Sequence, residues 1–241
     1  MLKLMVGLGN PGSTYAMNRH NVGFMAVDRI HERWRGGPWR RKFQSDVSEA
    51  NIHGTRVMFL KPLTYMNESG RAVAEAARFY KVDPSDIVVI HDEIDLPPAK
   101  FRMKTGGGTG GHNGLKSIIA HMRDGFRRLR IGVGHPGRKE LVPNYVLHDF
   151  AKSDFDWLEP MLDAIAEEAT LLATGQDSTF SSRVHVRLSK DQAAKPSAPR
   201  DSSDAARSSA DERPVSVLAK RESDQRPAQG PFSALAHLLR K

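Results

Sequence analysis

Apolar positions along the chain fall in short groups separated by polar, glycine- or proline-bearing breaks. Leu2–Leu8 reads as a buried strand. Val22, Met25, Ala26 and Ile30 then recur at the spacing of one helical face. Asp46–Ile52 and Thr55–Leu60 read as two strands joined by a turn at His53 and Gly54. Val73, Ala76, Ala77 and Tyr80 mark a second helix, and Ile87–His91 a short central strand. Lys100–Lys104 is another strand, Leu115, Ile118, Ile119 and Met122 mark a third helix, and Leu129–Val133 a further strand. Leu158, Leu162, Ile165, Ala169 and Leu172 mark one long helix, with Pro160 accommodated only if it lies in the first turn. Strands alternating with helices, with a hairpin inserted, predict an α/β fold: a single domain with a mixed twisted β-sheet flanked by helices on both faces.

This pattern runs from residue 1 to 188 and then stops. No aromatic residue occurs between Phe180 and Phe232, and residues 191–230 are dominated by Ala, Ser, Pro, Arg and Asp. Such a stretch cannot bury enough apolar surface to offset its ordering entropy, so 189–230 reads as a disordered linker, making a disordered C-terminal tail. At its end Phe232, Leu235, Ala236 and Leu239 share one helical face, and 231–241 reads as a short amphipathic helix or a frayed end.

Composition narrows the function classes. The absence of cysteine removes disulfides and thiolate metal sites and suits a reducing compartment. No apolar run approaches the roughly 20 residues that span a bilayer. The start, MLKLMVGLGNPG, has neither a full apolar signal region nor a cleavage site, so the expectation is a cytoplasmic protein with no membrane partner. Residues 1–188 carry 26 Lys and Arg against 21 Asp and Glu, within a formal net charge of +8 for all 241 residues. A basic excess favours a polyanionic partner such as RNA.

Several segments carry chemistry. Gly7-Leu8-Gly9-Asn10-Pro11-Gly12 matches the dinucleotide fingerprint formally, but Pro11 and Gly12 prolong the turn. The acidic residues about 20 positions on, Asp28 and Glu32, fall within a helix, so no nicotinamide or flavin is expected. The glycines then serve a tight turn at a strand end. His20 and Asn21 stand just before the first helix, where Asn21 is a candidate N-cap. Asp92 ends an apolar strand within HDEIDLPP, at the edge where α/β folds gather ligands. His91, Asp92, Glu93 and Asp95 lack a second cluster at ligand spacing, so no metal is expected. Thr64 and Asn67 precede the second helix as possible caps. The glycine run from Lys104 to His112 and Asn113 leads into the third helix without the Gly-Lys-Ser/Thr ending of a Walker loop. Arg128 and Arg130 share a strand face, to contact phosphate or to coat the surface.

Four segments in this order, VGLGNPGSTYAMNRHNVGF, KPLTYMNESGRAV, HDEIDLPPAKFRMKTGGGTGGHNGLKSI and RLRIGVGHPG, resemble the bacterial-type peptidyl-tRNA hydrolases over about residues 1–188. The resemblance implies a monomeric esterase, without metal or cofactor, that cleaves peptidyl-tRNA from stalled translation into tRNA and peptide. It implies His20 as catalytic base and Asp92 as its hydrogen-bonded partner. It places Asn10, Asn67 and Asn113 in the cleft, holding the peptide and the terminal ribose, with Tyr15 and Met66 lining it. His112 helps place the acceptor end, and Lys104 and Arg130 grip the 5′-phosphate region of the tRNA. The residue types suit the reaction: an ester needs only water and a positioned base, and an Asn N–H from Asn10 or Asn67 can meet the developing oxyanion. A rival from another class is a non-catalytic RNA-binding protein of the same fold. The intact His20 and Asp92 argue against it.

Overall fold

A computed structural model describes residues 2–194. Seven strands form one sheet: β1 (Lys3–Gly7), β2 (Arg40–Lys42), β3 (Ser45–Ile52), β4 (Thr55–Pro62), β5 (Ile87–Glu93), β6 (Phe101–Thr105) and β7 (Arg127–Gly132). Their spatial order is β2-β3-β4-β1-β5-β7-β6. β1 runs parallel to β4 and β5, and β5 parallel to β7, while β2, β3 and β6 pair antiparallel with their neighbours. The sheet is therefore mixed, as expected, and the central position of β1 follows from its being buried on both faces.

The helices are α1 (Val22–Arg33), α2 (Ser69–Tyr80), α3 (Asn113–His121), α4 (Val142–Val146), α5 (Phe155–Glu167), α6 (Ala169–Ala173) and α7 (Asp177–Ala194). Alternate residues of the central strands feed two separate cores. Met5, Val88 and Ile90 pack with Val22, Ala26, Ile30 and Leu162 on the side of α1 and α5, together with Phe180 of α7. Leu4, Val6, Ile87 and Val89 pack with Val73, Ala76, Leu115 and Ile118 on the side of α2 and α3. Among the described residues no helix is long and apolar enough to cross a membrane.

Three expectations need correction. The expected single helix over 158–172 is two, α5 and α6, parted at Glu168, whose buried carboxylate accepts from Arg187 of α7. Pro160 lies inside α5 rather than in its first turn, where its missing N–H forfeits one helical hydrogen bond. α7, anchored by the buried Phe180 and Val184 of its first half, continues through Ala194, past the expected boundary at 188. The remainder of the expected linker to 230, and the helix over 231–241, lie outside the described residues.

The glycines of the first loop act differently from expectation. Only Gly12 has a left-handed φ, 108°. Gly7 and Gly9 instead allow α1 to lie against the loop: a Cβ on Gly7 would come within 2.4 Å of the Gly23 carbonyl oxygen, and one on Gly9 within 2.7 Å of the Phe24 ring. Gly23 itself would put a Cβ 2.2 Å from the Ile90 carbonyl oxygen and 2.5 Å from the Leu8 nitrogen. Gly23→Ala is therefore expected to cost at least about 3 kcal/mol, the upper end of overpacking penalties. Gly108→Ala, where a Cβ meets nothing within 4 Å, leaves stability nearly unchanged. Urea unfolding midpoints of the two variants check this contrast.

Candidate active site

The close approach of α1 to β1 and β5 brings two chain segments together at the C-terminal edge of the sheet. β5 is buried along its whole length, and Asp92 is its penultimate residue. His20 lies in a short 3-10 turn, Arg19–Asn21, directly before α1. That turn is fastened from outside: the Arg19 N–H donates to the His148 carbonyl at 3.1 Å, and Asn18 Nδ2 donates to Asp149 at 2.7 Å. The Arg19 guanidinium lies 4.5 Å from the centre of the Tyr145 ring.

His20 Nδ1 then sits 2.8 Å from Asp92 Oδ1. The same oxygen lies 3.0 Å from His112 Nε2. His112 is the N-cap of α3, and its Nδ1 accepts from the Gly114 N–H at 3.1 Å. A ring nitrogen that accepts carries no proton, so the network assigns the proton of His112 to Nε2, which donates to Asp92. His20 likewise donates Nδ1–H to the carboxylate, leaving its Nε2 lone pair free. Asp92 is 3% exposed and His20 9%, so both interact in a poorly hydrated setting.

The electrostatics follow. Burial alone would push the His20 imidazole down, but the charge and hydrogen bond of Asp92 outweigh it and raise its pKa above the ordinary 6.5. Burial would raise Asp92, yet His20 and His112 together hold its carboxyl well below the usual range. His91 is pushed down to about 3, mainly by burial and then by neighbouring His112. It is a neutral imidazole at working pH, with Nδ1 2.7 Å from the Asp92 carbonyl oxygen.

Asn10 reaches the cleft from the loop after β1. Its Oδ1 accepts from the Met66 N–H at 2.8 Å, so its Nδ2 donors face away from that bond and are unused among the described residues. Asn21 makes no N-cap bond, contrary to expectation. It holds Asn10 instead, accepting from the Asn10 N–H and donating to the Asn10 carbonyl, each at 2.9 Å. Neither Thr64 nor Asn67 makes a cap bond for the second helix. Met66 is buried beside α3: a Cβ on Gly114 would lie 2.6 Å from its sulfur. Asn67 and Asn113, next in the chain to Met66 and Gly114, are both exposed. Tyr15 is half-buried in a 3-10 turn anchored through its backbone to Gly12 and Asn18.

Lys104 and Arg130 line a neighbouring cavity of about 210 Å³ with His91, Glu93, Asp95 and Arg128. Lys104 is exposed and has no ion pair among the described residues. Arg130 is paired with Glu93 at 2.8 Å. Arg128 does not coat the surface: it is 1% exposed and donates to the Gly107 and Gly108 carbonyls and to Asp124, tying down the glycine run.

Known proteins share this arrangement of segments. A family profile described as peptidyl-tRNA hydrolase matches residues 4–194. The chain belongs to the peptidyl-tRNA hydrolase family. A peptidyl-tRNA hydrolase of Bradyrhizobium diazoefficiens is 57% identical over 187 residues, covering 78% of this chain and 93% of the relative. One from Parvibaculum lavamentivorans is 58% identical over 194 residues, 80% and 95% of the two chains. The crystal structure of peptidyl-tRNA hydrolase from Acinetobacter baumannii superposes with a TM-score of 0.73 at 40% identity, over 76% of this chain and 94% of that one.

One ligand atom each from His20, Asp92 and His112 lie within 4.8 Å of one another, close enough to surround a metal ion. The hydrogen-bond polarity is wrong for it. A metal-bound imidazole donates its other N–H outward. His112 Nδ1 faces a backbone donor, so freeing Nε2 for a metal would set two N–H groups against each other. The pair His20 and Asp92 alone makes a poor cation site.

The sequence had already singled out most of these residues. It missed that Asn21 braces Asn10, that Arg128 is internal and that His112 shares Asp92. The regular i, i+2 alternation along β7 had put Arg128 and Arg130 on one face, which holds, but alternation does not say whether that face meets solvent. The His20 titration, followed by the NMR resonance of its imidazole Cε1 proton, is expected to have its midpoint above 6.5. In Asp92→Asn burial is left as the dominant influence, and the midpoint falls below 6.5.

Proposed function

We propose that this chain hydrolyses the ester linking a peptide to the 3′-terminal ribose of tRNA, with His20 as general base and Asp92 as its partner, recycling tRNA from stalled translation. The observation that carries the reading is the 2.8 Å contact of His20 Nδ1 with Asp92 Oδ1, which leaves Nε2 as the one basic nitrogen of that ring. Membership of the peptidyl-tRNA hydrolase family supports the substrate.

In this mechanism His20 Nε2 takes a proton from water as the oxygen adds to the ester carbonyl carbon. Asp92 stabilises the imidazolium that forms and keeps the ring in the useful tautomer, as the acid does in a Ser-His-Asp triad. Asn10 is the better oxyanion donor of the two candidates, because its Oδ1 is committed to the Met66 N–H and its Nδ2 hydrogens are not. Collapse of the tetrahedral intermediate breaks the bond to the ribose oxygen, which takes its proton back from His20. The products are free tRNA and the peptide carboxylate. No step requires a metal or a cofactor.

Asn67 and Asn113, exposed at the N-terminal ends of the turn before α2 and of α3, are suited to reading a peptide amide and a ribose hydroxyl. An amide-reading cleft disfavours the cationic amine of an ordinary aminoacyl-tRNA, since an unpaired group there is costly. Tyr15 and Met66 form walls in this reading, and His112 helps place the acceptor end. Lys104, which has no ion pair among the described residues, and Arg130, drawn from Glu93, would meet the 5′-phosphate; such contacts position the RNA and add salt-dependent affinity. The proposed setting is the cytoplasm, where translation supplies the substrate, and the proposed working unit is a monomer.

The test offers the purified protein N-acetylaminoacyl-tRNA and, separately, the same tRNA with its amine free. Only the blocked ester is cleaved, EDTA leaves the rate unchanged, and His20→Ala lowers kcat/KM by about 10²–10⁴-fold. Tight binding of tRNA without cleavage would overturn the reading in favour of an RNA-binding protein of this fold.

A further inference from the structure

A single buried carboxylate oxygen in the cleft serves two imidazoles, at 2.8 Å from His20 and 3.0 Å from His112. We propose that His112 is a positioning residue that sets the basicity of His20 through Asp92, beyond any part it has in placing the acceptor end. The inference rests on His20 as the base.

The geometry makes His112 a permanent donor rather than a second base. Its Nδ1 is occupied by the Gly114 N–H, and the ring caps α3. The His91 ring stands nearly perpendicular beside it, with centroids 4.9 Å apart, and His91 is itself locked onto the Asp92 carbonyl. The charged and titratable groups around the pair are Asp92 and His91 from β5, His20 from the turn before α1, and, beyond His91, Arg128 from β7. Only Asp92 is anionic among them. His112 can therefore do one thing with its proton, which is to donate it to Asp92.

The consequence falls on His20. An anion that accepts a second hydrogen bond holds its first partner less strongly. With both imidazoles in place, Asp92 orders the His20 ring and stabilises its imidazolium while sharing its charge with a second donor. Without the donor from His112, Asp92 would favour protonated His20 further, and less of the enzyme would carry a free Nε2. This division of one charge makes His20 less basic than undivided pairing with Asp92 would.

The test uses two variants of the full chain. His112→Asn keeps a good N-cap for α3 but is too short to reach Asp92. His112→Gln restores an N–H near the position of Nε2. In His112→Asn the NMR titration midpoint of His20 is expected to rise by about one unit, an ordinary size for losing one competing partner. The acidic limb of kcat/KM for a small N-blocked aminoacyl ester moves upward with it. His112→Gln returns both toward the parent values. An unmoved or lowered His20 midpoint in His112→Asn, with KM alone affected, would overturn the proposal. A measurement on the unmodified protein stands behind the variants: the ¹⁵N shifts of His112 must show Nε2 protonated and Nδ1 bare, and the reverse would also overturn it. The His20 titration needs no turnover, so failure of this coupling and failure of His20 as the base in the His20→Ala assay are separate results.

Discussion

The bond between His20 and Asp92 is the constraint around which the rest of the site is arranged. A carboxylate buried as deeply as Asp92 is unfavourable unless its charge is met by good donors. Two imidazoles meet it, one from each side of the sheet. His20 arrives with α1 on one face and His112 with α3 on the other, and Asp92 lies at the strand end where both can reach it. The requirement propagates outward. α1 must lie almost on the backbone of β5, which is why Gly7 and Gly23 have no room for a Cβ. α3 must begin at the same edge, and its cap residue is itself the second imidazole.

The polar residues around the cleft form a set of braces more than a set of independent ligands. Asn21 fixes the backbone of Asn10, Asn10 fixes the Met66 N–H, and Met66 packs against the start of α3. The turn carrying His20 is fastened to the segment Tyr145–Asp149 through Arg19 and Asn18. A site held to the small tolerances that catalysis requires gets its accuracy from such supports. The basic charge is used in the same manner. Arg128 pairs with Asp124 and Arg130 with Glu93, so these two charges beside the cleft are committed internally, while Lys104 has no ion pair among the described residues.

The fold was largely legible because its signals are local. Apolar periodicity located β1, β3, β4, β5 and the first three helices, and the alternation of strands with helices predicted helices on both faces of the sheet. The failures also have local causes. Glu168 interrupts a continuous helical pattern because a charge network with α7 rewards the break, and a periodicity reading cannot see a partner nineteen residues away. β2 is three exposed basic residues with no apolar pattern, positioned by pairing to β3. In the site, His20 and Asp92 stood out by motif and by place at a strand edge. Asn21 looked like a cap because it precedes a helix, and only the long-range contact with Asn10 shows otherwise. His112 was visible as a residue in a glycine run, while its tie to Asp92 depends on how β5 and α3 meet in space.

General-base catalysis by His20 depends on which of its nitrogens carries the proton when the ring is neutral. Long-range ¹H–¹⁵N correlation spectra, recorded well above the pH at which His20 titrates, read this directly. The expected result is a protonated Nδ1 facing Asp92 and an Nε2 with the shift of a bare, basic nitrogen. A neutral ring with its proton on Nε2 would leave no base facing the substrate and would contradict the account.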